Sequence, residues 1–248
     1  MSNREVATLS IEAHTMKRHH AGRSLPVNVF DRFRLDGKWA LITGGSRGLG
    51  FAMGKAMAEA GANLILVGRD GDSLRKAKED LQLTGRRIET LTADITTGED
   101  AEKLCDLVLA NHAALDILVN NVGGRRDNIA TEEMPLDTWR RLIDLNLTSV
   151  FVCTKRLGGE MVKRGRGRII NIASICGMVA TRNIHGRHYE TAKAAVTGFT
   201  RAVAADWARR GVTVNAIAPG GFMTDANRRW FRERPEFQKE IEGLIPMG

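Results

Sequence analysis

Residues 39–50 read WALITGGSRGLG, a short apolar run that passes directly into a glycine-rich stretch. The run Trp39–Thr43 has the length and composition of a buried strand, and a helical pattern begins at Leu49. Such a junction presents free backbone N–H groups and the positive end of a helix dipole to an anion. The stretch therefore predicts a dinucleotide pyrophosphate site, with a purely structural turn as the alternative. Its predicted cofactor-binding residues are Thr43, Gly44, Ser46, Arg47, Gly48, Leu49 and Gly50.

The chain that follows alternates short β-branched runs with longer helical patterns. After Trp39–Thr43, strands are predicted at Asn63–Val67, Glu89–Ala93, Ile117–Asn120, Arg168–Ala173 and Val212–Ala218. Predicted helices start near Leu49, Asp72, Glu99, Leu136 and Tyr189. Glycines suited to a left-handed helix end follow several of them: Gly61, Gly165 and Gly211. This alternation predicts an α/β fold, a doubly wound parallel sheet of the Rossmann type.

The N-terminal part has a different composition from the rest of the 248-residue chain. Residues 1–35 carry mixed charge and no sustained apolar period, so we predict a flexible extension there. Residues 36–248 are predicted to form a single dinucleotide-binding and catalytic domain. No apolar run is long enough to cross a membrane, and the N-terminus lacks the apolar core of a secretory signal, so the expected location is cytoplasmic.

Charge and cysteine content bound the classes of partner. The formal net charge is +8, but the arginines are spread along the whole chain. A solvated face, a basic mouth that attracts an anionic substrate or carrier, and a nucleic-acid surface would each account for this charge. Because no recognition motif is present, neither a nucleic-acid partner nor a membrane partner is predicted. The scattered cysteines predict no disulfide framework and no metal site: Cys105, Cys153 and Cys176.

The end of the second predicted strand bears on the choice of cofactor. Val67-Gly68-Arg69-Asp70 lies about 20 residues past the glycines, where the adenosine ribose of a dinucleotide should lie. An acidic residue there binds the 2′-hydroxyl of NAD, whereas arginine pairs with the 2′-phosphate of NADP. Arg69 comes first, and Arg47 could reach the same phosphate, so NADP is favoured and NAD is possible. In the alternative, Asp70 caps the next helix and both arginines are solvated.

A second chemical site is predicted at residues 189–193, which read YETAK. The i, i+4 spacing of Tyr189 and Lys193 places them side by side on one helix. A neighbouring ammonium favours the phenolate form of tyrosine, which makes Tyr189 a candidate general acid or base. Ser174 ends the fifth predicted strand, where ligands of such sheets bind. The three side chains together predict a site that polarises a carbonyl group.

At this point the sequence resembles the short-chain dehydrogenase/reductase family, in its classical branch. The resemblance covers about residues 35–248. The family's motifs occur in order: Thr43-Gly44-x-x-x-Gly48-x-Gly50, Asp94, Asn120-Asn121-Val122-Gly123, Asn146, Ser174, Tyr189 with Lys193, and Pro219-Gly220.

The resemblance implies cofactor contacts beyond the glycine turn. Asp94 and Ile95 would contact the adenine, and Thr224 would hold the nicotinamide carboxamide. The Gly123 backbone would lie along the cofactor, and Lys193 would bind the nicotinamide ribose. The remaining implied cofactor residues are Asn121, Tyr189, Pro219 and Gly220.

The resemblance also implies a catalytic set of Asn146, Ser174, Tyr189 and Lys193. Tyr189 would be the acid in reduction and the base in oxidation, with the hydride supplied by the nicotinamide. Asn146 would hold a water that links Lys193 to solvent, and Asn120 would steady the central strands. The implied enzyme is an NADP-dependent oxidoreductase that acts on a small carbonyl or alcohol substrate, as a homodimer or homotetramer paired through residues 136–164 and 189–210.

Three departures from the family pattern concern the substrate and the end of the chain. Val122 replaces the usual alanine. The stretch between Ser174 and Tyr189 is about two residues longer than usual, and its basic residues are expected near the substrate: Arg182, His185, Arg187 and His188. The family usually continues beyond Gly248 through a last strand, so a sheet without that strand is expected, with Val212–Ala218 at its edge. Truncation of the chain or stabilisation by a partner would each account for this.

The motifs resemble those of both gluconate 5-dehydrogenases and 3-oxoacyl-carrier-protein reductases. Arg125 and Arg126 could bind a sugar-acid carboxylate or a phosphopantetheine phosphate, or they could face solvent. The expected substrate is therefore a keto sugar acid or a 3-oxoacyl thioester. A catalytically inactive cofactor-binding or interaction protein is the alternative.

Overall fold

The computed structural model describes residues 28–112, 114–124, 127–180, 186–233 and 235–244. The chain divides into two units, one that ends at Arg34 and one that begins at Leu35. In the first unit the structure describes a turn of 3-10 helix, Phe30–Phe33, which starts where the Asn28 side chain accepts a 2.8 Å hydrogen bond from the Phe30 N–H. The sheet, the helices and the candidate site all belong to the second unit.

The second unit is built on a parallel sheet of six described strands. In chain order these are β1 Trp39–Thr43, β2 Asn63–Gly68, β3 Ile88–Thr92, β4 Ile117–Asn120, β5 Gly167–Ile172 and β6 Val212–Ile217. They lie in the order β3-β2-β1-β4-β5-β6, and every neighbouring pair is parallel. The order reverses between β1 and β4, which makes that crevice the topological switch point. All six predicted strands are confirmed to within one residue at each end.

Helices connect the strands and follow the last one. They are α1 Gly48–Glu59, α2 Gly71–Gln82, α3 Gly98–Asn111, α4 Leu136–Ile143, α5 Ser149–Cys153, α6 Gly159–Lys163, α7 Arg187–Trp207, α8 Asp225–Glu233 and α9 Pro235–Leu244. Two π-helical segments, Asp144–Thr148 and Thr154–Gly158, join α4, α5 and α6 into one run over residues 136–163, here named the composite helix. Short 3-10 turns lie at Thr131–Glu133, Ile175–Gly177 and Ala208–Arg210. The predicted helix-ending glycines are confirmed as left-handed: Gly61, Gly165 and Gly211.

Apolar side chains cover both faces of the sheet. On β1, Leu41 packs into a cluster with side chains of α3 and the composite helix, while Ala40 and Ile42 pack on the opposite face with side chains of α1 and α2. All three are fully buried. The two-sided core confirms the predicted doubly wound α/β fold. Among the described helices, none combines the length and apolar character needed to cross a bilayer.

Strand β6 forms one edge of the described sheet. It pairs with β5 from Gly167↔Val212 to Ile172↔Ile217 and with no other described strand. Its outer residues are exposed, including about half of Ile217. The position of this strand at the sheet edge agrees with the sequence-based expectation. Its carboxyl end, like those of the other strands, points to the side of the sheet where the candidate site lies.

Candidate active site

The predicted glycine turn lies between β1 and α1. Gly44 and Gly48 both have left-handed backbone angles, with φ of 67° and 56°. A Cβ at Gly50 would lie 2.1 Å from the Gly44 carbonyl oxygen, so the turn can close only with glycine there. Helix α1 begins at Gly48, so the unpaired N–H groups of its first turn point back toward the glycine turn. This cradle has the shape and the partial positive charge that a pyrophosphate requires.

The turn is fixed to the end of β4 by Thr43 and Asn121. The Thr43 hydroxyl accepts hydrogen bonds from the backbone N–H groups of Asn121 (2.9 Å) and Val122 (3.1 Å). In return, the Asn121 amide donates to the carbonyl oxygens of Thr43 (2.9 Å) and Gly44 (3.2 Å). These bonds hold the two strand ends on either side of the switch point at a set separation. Thr43 is buried, so its side chain supports the turn from behind.

A cleft with a volume of about 1100 Å³ opens over the carboxyl ends of the strands at this point. It is large enough for a dinucleotide and a small substrate. Most predicted cofactor residues line it: Gly44, Ser46, Arg47, Leu49, Gly50, Arg69, Asp94, Ile95, Asn121, Gly123, Tyr189, Lys193, Pro219, Gly220 and Thr224. The predicted catalytic Ser174 lines it as well. Thr43, Gly48 and Asn146 are not among the lining residues, and of these Thr43 and Asn146 are buried.

The end of the cleft where the adenosine is predicted to bind carries several charged residues. Arg69 forms an ion pair with Asp94 at 3.6 Å, and both side chains are about half exposed. Asp94 also accepts a 3.0 Å hydrogen bond from the Thr96 N–H. Asp70 accepts a 2.6 Å bond from the Ser73 N–H and caps α2, as the alternative interpretation of the sequence stated. That backbone hydrogen bond lowers the pKa of Asp70, with a smaller contribution from the positive charge of Arg47.

At the other end of the cleft, Tyr189 and Lys193 lie one turn apart on α7. The Lys193 ammonium lies 5.8 Å from the centre of the Tyr189 ring. Lys193 is buried, and its Nζ donates a 2.6 Å hydrogen bond to the Ile172 carbonyl oxygen at the end of β5. Burial lowers the pKa of Lys193 to about 8, because the protein interior disfavours the charged form. A lysine in this state can change its protonation near neutral pH.

Asn146 lies on the first π-helical segment, behind the cleft. Its Oδ1 accepts a 2.8 Å hydrogen bond from the Gly124 N–H, and its Nδ2 donates to the carbonyl oxygens of Gly124 (3.0 Å) and Leu142 (2.9 Å). A Cβ at Gly123 would lie 2.8 Å from Asn146 Oδ1 and 3.1 Å from Lys193 Nζ. Both side chains therefore lie close to the position that a Cβ of residue 123 would take, and a larger residue there would crowd them. The extra residue of a π turn is a common feature of functional sites.

Ser174 follows β5 and faces the cleft. Its Oγ accepts a 3.2 Å hydrogen bond from the Cys176 N–H and caps the 3-10 turn Ile175–Gly177. Since this bond uses a lone pair, the hydroxyl proton can be donated to an oxygen in the cleft. The adjacent Ile175 N–H donates to the Pro219 carbonyl oxygen at 3.0 Å, which ties the loop after β6 to the same rim.

A buried polar network beneath the cleft includes residues that sequence reasoning did not single out. The Asn120 amide donates to Thr154 Oγ1 (3.1 Å) and Asn171 Oδ1 (2.8 Å), and the Asn171 amide donates to Thr200 Oγ1 at 2.9 Å. The chain of bonds joins β4, the composite helix, β5 and α7. The signal that the sequence offered for this network was a polar residue within each of these largely apolar elements: Asn120, Thr154, Asn171 and Thr200.

Some of the basic residues expected near the substrate are placed elsewhere or lie outside the described residues. Arg187 and His188 do not line the large cleft, which corrects the expectation for these two. Arg187 donates from one guanidinium nitrogen, Nη1, to both carboxylate oxygens of Glu190 (2.9 and 2.7 Å), and His188 is buried. Both line a separate cavity of about 260 Å³ beside the start of α4. The other basic residues lie outside the described residues: Arg125, Arg126, Arg182 and His185.

A doubly wound sheet with a glycine turn at its switch point, and a tyrosine, lysine and serine at the far end of the same cleft, defines a nucleotide-dependent oxidoreductase. The family model described as short chain dehydrogenase matches residues 38–235. The chain belongs to this family.

Comparisons with individual proteins agree with the family assignment. The chain is 39% identical over 187 residues to a 3-oxoacyl-[acyl-carrier-protein] reductase from Synechocystis sp., which covers 75% of this chain and 74% of that protein. It is 36% identical over 221 residues to the gluconate 5-dehydrogenase of Gluconobacter oxydans, and the alignment covers 88% of this chain and 84% of that protein. The structure is similar to that of Pseudomonas aeruginosa RhlG in an NADP complex, with a TM-score of 0.78 and 32% sequence identity. The match covers 87% of this chain and 84% of that one.

Proposed function

We propose that this protein transfers a hydride between NADP(H) and a carbonyl or secondary alcohol. In the reductive direction, NADPH, a proton and a ketone give NADP and a secondary alcohol. One observation carries the proposal: Ser174, Tyr189 and Lys193 lie together at one end of a cleft whose other end is a pyrophosphate cradle. Each of the catalytic residues that the resemblance implied is present in the described structure.

The residues of the cradle fit a nicotinamide dinucleotide. Gly50 and Gly44 leave no room for a Cβ, and α1 directs its free N–H groups into the same space. At the ribose end, Arg47, Arg69 and Asp70 line the cleft, and the Asp70 carboxylate accepts the bond that caps α2. With the acidic residue engaged, the guanidinium groups favour the 2′-phosphate of NADP over the bare hydroxyl of NAD. When bound, the nicotinamide supplies or accepts the hydride.

The protein's own groups would handle the proton and orient the substrate. Ser174 would donate its hydroxyl proton in a hydrogen bond to the substrate oxygen, and Tyr189 would transfer a proton to that oxygen in reduction. The Lys193 charge would stabilise the tyrosinate left behind. Asn146 would act as a positioning residue, because it holds Gly124 and thereby the backbone between itself and Lys193. The return of a proton from solvent would pass through Lys193.

Two substrate classes follow from the relatives, and the proposal includes both. The similar proteins include reductases of 3-oxoacyl thioesters and dehydrogenases of sugar acids. Both reactions interconvert a ketone and a secondary alcohol, so both need the same proton donor and the same hydride geometry. A keto sugar acid or a 3-oxoacyl thioester would therefore suit the chemistry of Ser174 and Tyr189.

A homodimer or homotetramer is part of the proposal. The composite helix and α7 carry apolar side chains at their outer surface, where Phe151 meets Phe199 edge to face at 6.0 Å between ring centroids. Phe151 is nearly half exposed. Pairing of these helices with a second copy would remove the two rings from water.

The test is a binding and turnover measurement on the purified chain. NADPH and NADH binding is measured by cofactor fluorescence, and oxidation of NADPH is then followed with a panel of ketones that includes 5-ketogluconate and acetoacetyl thioesters. Tighter binding of NADPH than of NADH, together with turnover of at least one ketone, is expected. Binding without turnover across the panel would support a non-catalytic cofactor-binding protein, and the absence of binding would contradict the proposal entirely.

A further inference from the structure

The two ends of the large cleft differ in the character of their described side chains. The adenosine end carries Arg47, Arg69, Asp70 and Asp94. At the catalytic end, the one charged side chain among the described lining residues is Lys193, which is buried and bonded to the Ile172 carbonyl oxygen. The rest of that end is mainly apolar, with side chains from the loops after β5 and β6 and from α8: Ile175, Val179, Ala180, Phe222 and Trp230.

Several of these apolar side chains are unusually exposed for their size. Ile175 is 45% exposed, Val179 52% and Phe222 50%. Scattered apolar side chains at a surface are ordinary, but here the group lines one side of a cleft and surrounds a polar reaction centre. A ligand with an apolar substituent would remove these side chains from water and gain free energy in proportion to the area buried. The position of the group determines which part of a ligand it would contact: the substituent beside the carbonyl carbon.

Two polar side chains at the same end, Thr224 and Asn227, each make a hydrogen bond within their own loop. Thr224 Oγ1 accepts a 3.3 Å hydrogen bond from the Asn227 N–H, and the Asn227 amide donates a 2.7 Å bond to the Phe222 carbonyl oxygen. A sugar acid brings several hydroxyl groups and a carboxylate, each of which must exchange its bonds to water for bonds to the protein. Besides Ser174 and Tyr189, the described side chains of this end that could bind such a ligand include Thr224 and Asn227, each already bonded within its loop, and the buried Lys193.

We infer that the substrate is a ketone with an apolar substituent of several carbon atoms next to the carbonyl group, such as an alkyl chain or a hydrocarbon ring. This inference rests on the proposed function and selects one substrate class within it. Ile175, Val179 and Phe222 bind the substituent and set the specificity, while Ser174 and Tyr189 bind the carbonyl oxygen.

The test is a chain-length series. NADPH oxidation is measured with 3-oxoacyl N-acetylcysteamine thioesters of four to ten acyl carbons, and with 5-ketogluconate. The expected kcat/KM rises about two- to four-fold for each methylene group until the apolar region is filled, since burial of one methylene contributes that factor. The expected kcat/KM for 5-ketogluconate is at least about 100-fold below that of the best thioester. A kcat/KM independent of chain length, or a preference for 5-ketogluconate, would overturn the inference.

A matched pair of variants tests the assigned residues. F222S is expected to reduce the increase per methylene and to lower kcat/KM about ten-fold for the longest substrate, while the four-carbon substrate changes little. L83S removes a side chain that is 89% exposed after α2 and does not line the cleft, so its series should match that of the wild type. An unchanged slope in F222S would show that Phe222 does not bind the substituent.

A binding series separates this inference from the proposed function. The affinity of 2-alkanols for the NADP-saturated Tyr189→Phe variant is measured by calorimetry, which requires no turnover. A Kd that falls about two- to four-fold per methylene supports the apolar site even if no ketone is reduced, in which case the proposed function alone fails. A Kd independent of chain length, in a protein that does reduce ketones, would overturn the apolar site and leave the proposed function in place.

Discussion

Lys193 and Ile172 are joined by a 2.6 Å hydrogen bond from the ammonium of α7 to the last carbonyl oxygen of β5. The bond fixes the lysine at the carboxyl end of the sheet, beside Tyr189. Gly123 lies against both the lysine and Asn146. It satisfies the carbonyl, but it does not replace the hydration that the buried ammonium has lost. The resulting lowered pKa of about 8 is a cost that the folded state carries at the site.

This cost predicts a pH dependence of stability. The folded pKa of Lys193 lies below its unfolded value of 10.5, so the unfolded chain binds more protons between pH 8 and 10.5. The contribution of Lys193 to the free energy of unfolding should therefore rise with pH through that window, by about 3 kcal/mol in all. In Lys193→Met this contribution is absent. Urea unfolding of both proteins at about pH 7.5, 9 and 10.5 measures this effect. The free energy of unfolding of the wild type should rise relative to that of Lys193→Met as the pH rises.

The control for this measurement is Lys155→Met, which removes an exposed lysine of the composite helix. Its stability difference from the wild type should stay nearly constant over the same window. If Lys193→Met also shows a constant difference, the ammonium is not desolvated in the fold. The same Lys193→Met protein should lose at least about 100-fold in turnover.

Replacement of Asn146 tests whether its hydrogen bonds hold the Gly124 backbone in place. Asn146→Ala removes bonds to Gly124 N–H, Gly124 C=O and Leu142 C=O, and leaves the Leu142 group buried and the Gly124 groups half-buried without this partner, so a loss of about 2–4 kcal/mol in the free energy of unfolding is expected. Ser149→Ala is the matched control on the same composite helix. It removes one bond, to the Leu145 carbonyl oxygen, and should cost about 1 kcal/mol. Equal losses in the two variants would contradict the special position of Asn146.

Two Gly→Ala substitutions, one in the glycine turn and one on α7, are expected to have opposite effects on stability. Gly50→Ala brings a Cβ within 2.1 Å of the Gly44 carbonyl oxygen and 2.7 Å of Asn121 Nδ2, so it should destabilise the fold by at least about 2 kcal/mol and abolish cofactor binding. Gly198→Ala places a methyl group in open space on α7 and should stabilise by about 0.5–1 kcal/mol. Thermal unfolding and NADPH titration measure both effects. Normal cofactor binding by Gly50→Ala would contradict the assignment of the glycine turn as the pyrophosphate site.

The preference for NADP is tested at Arg69. Arg69→Ala should raise the Kd of NADPH about ten-fold and leave that of NADH nearly unchanged, because only the 2′-phosphate loses a partner. Arg47→Ala should act in the same direction. Arg75→Ala, on the exposed face of α2 and paired with Asp72 and Glu79, should change neither Kd. An equal loss of NADPH and NADH affinity in Arg69→Ala would point to a structural role through its ion pair with Asp94.

The sequence predicted the strands and the glycine turn closely because those signals are local. Trp39–Thr43 is an apolar run of strand length, and Gly44, Gly48 and Gly50 occupy positions where the backbone or a neighbour excludes a side chain. The placement of Tyr189 beside Lys193 follows from helical spacing alone. These features need no knowledge of distant contacts.

Other features depend on long-range packing and could not be predicted. Nothing local to His188 indicates that its side chain lines a separate cavity. The apolar side of the cleft includes Val179 and Phe222, which are far apart in the sequence and line the same cleft because β5 and β6 are neighbours. The π-helical turn at Asn146 has no sequence signal that we can identify.

The central claim is that the chain reduces a ketone by hydride transfer from NADPH with Tyr189 as the proton donor, and deuterium transfer measured in the wild type and in Tyr189→Phe tests it most directly. The chain is incubated with NADPH that carries deuterium at both C4 positions of the nicotinamide and with the fastest ketone of the panel, and the alcohol is analysed by mass spectrometry and NMR. We expect one deuterium on the carbinol carbon, and a rate about 1000-fold lower in Tyr189→Phe with the Kd of NADPH unchanged within about two-fold. An alcohol without deuterium, or a Tyr189→Phe variant that turns over at the wild-type rate, would contradict the claim.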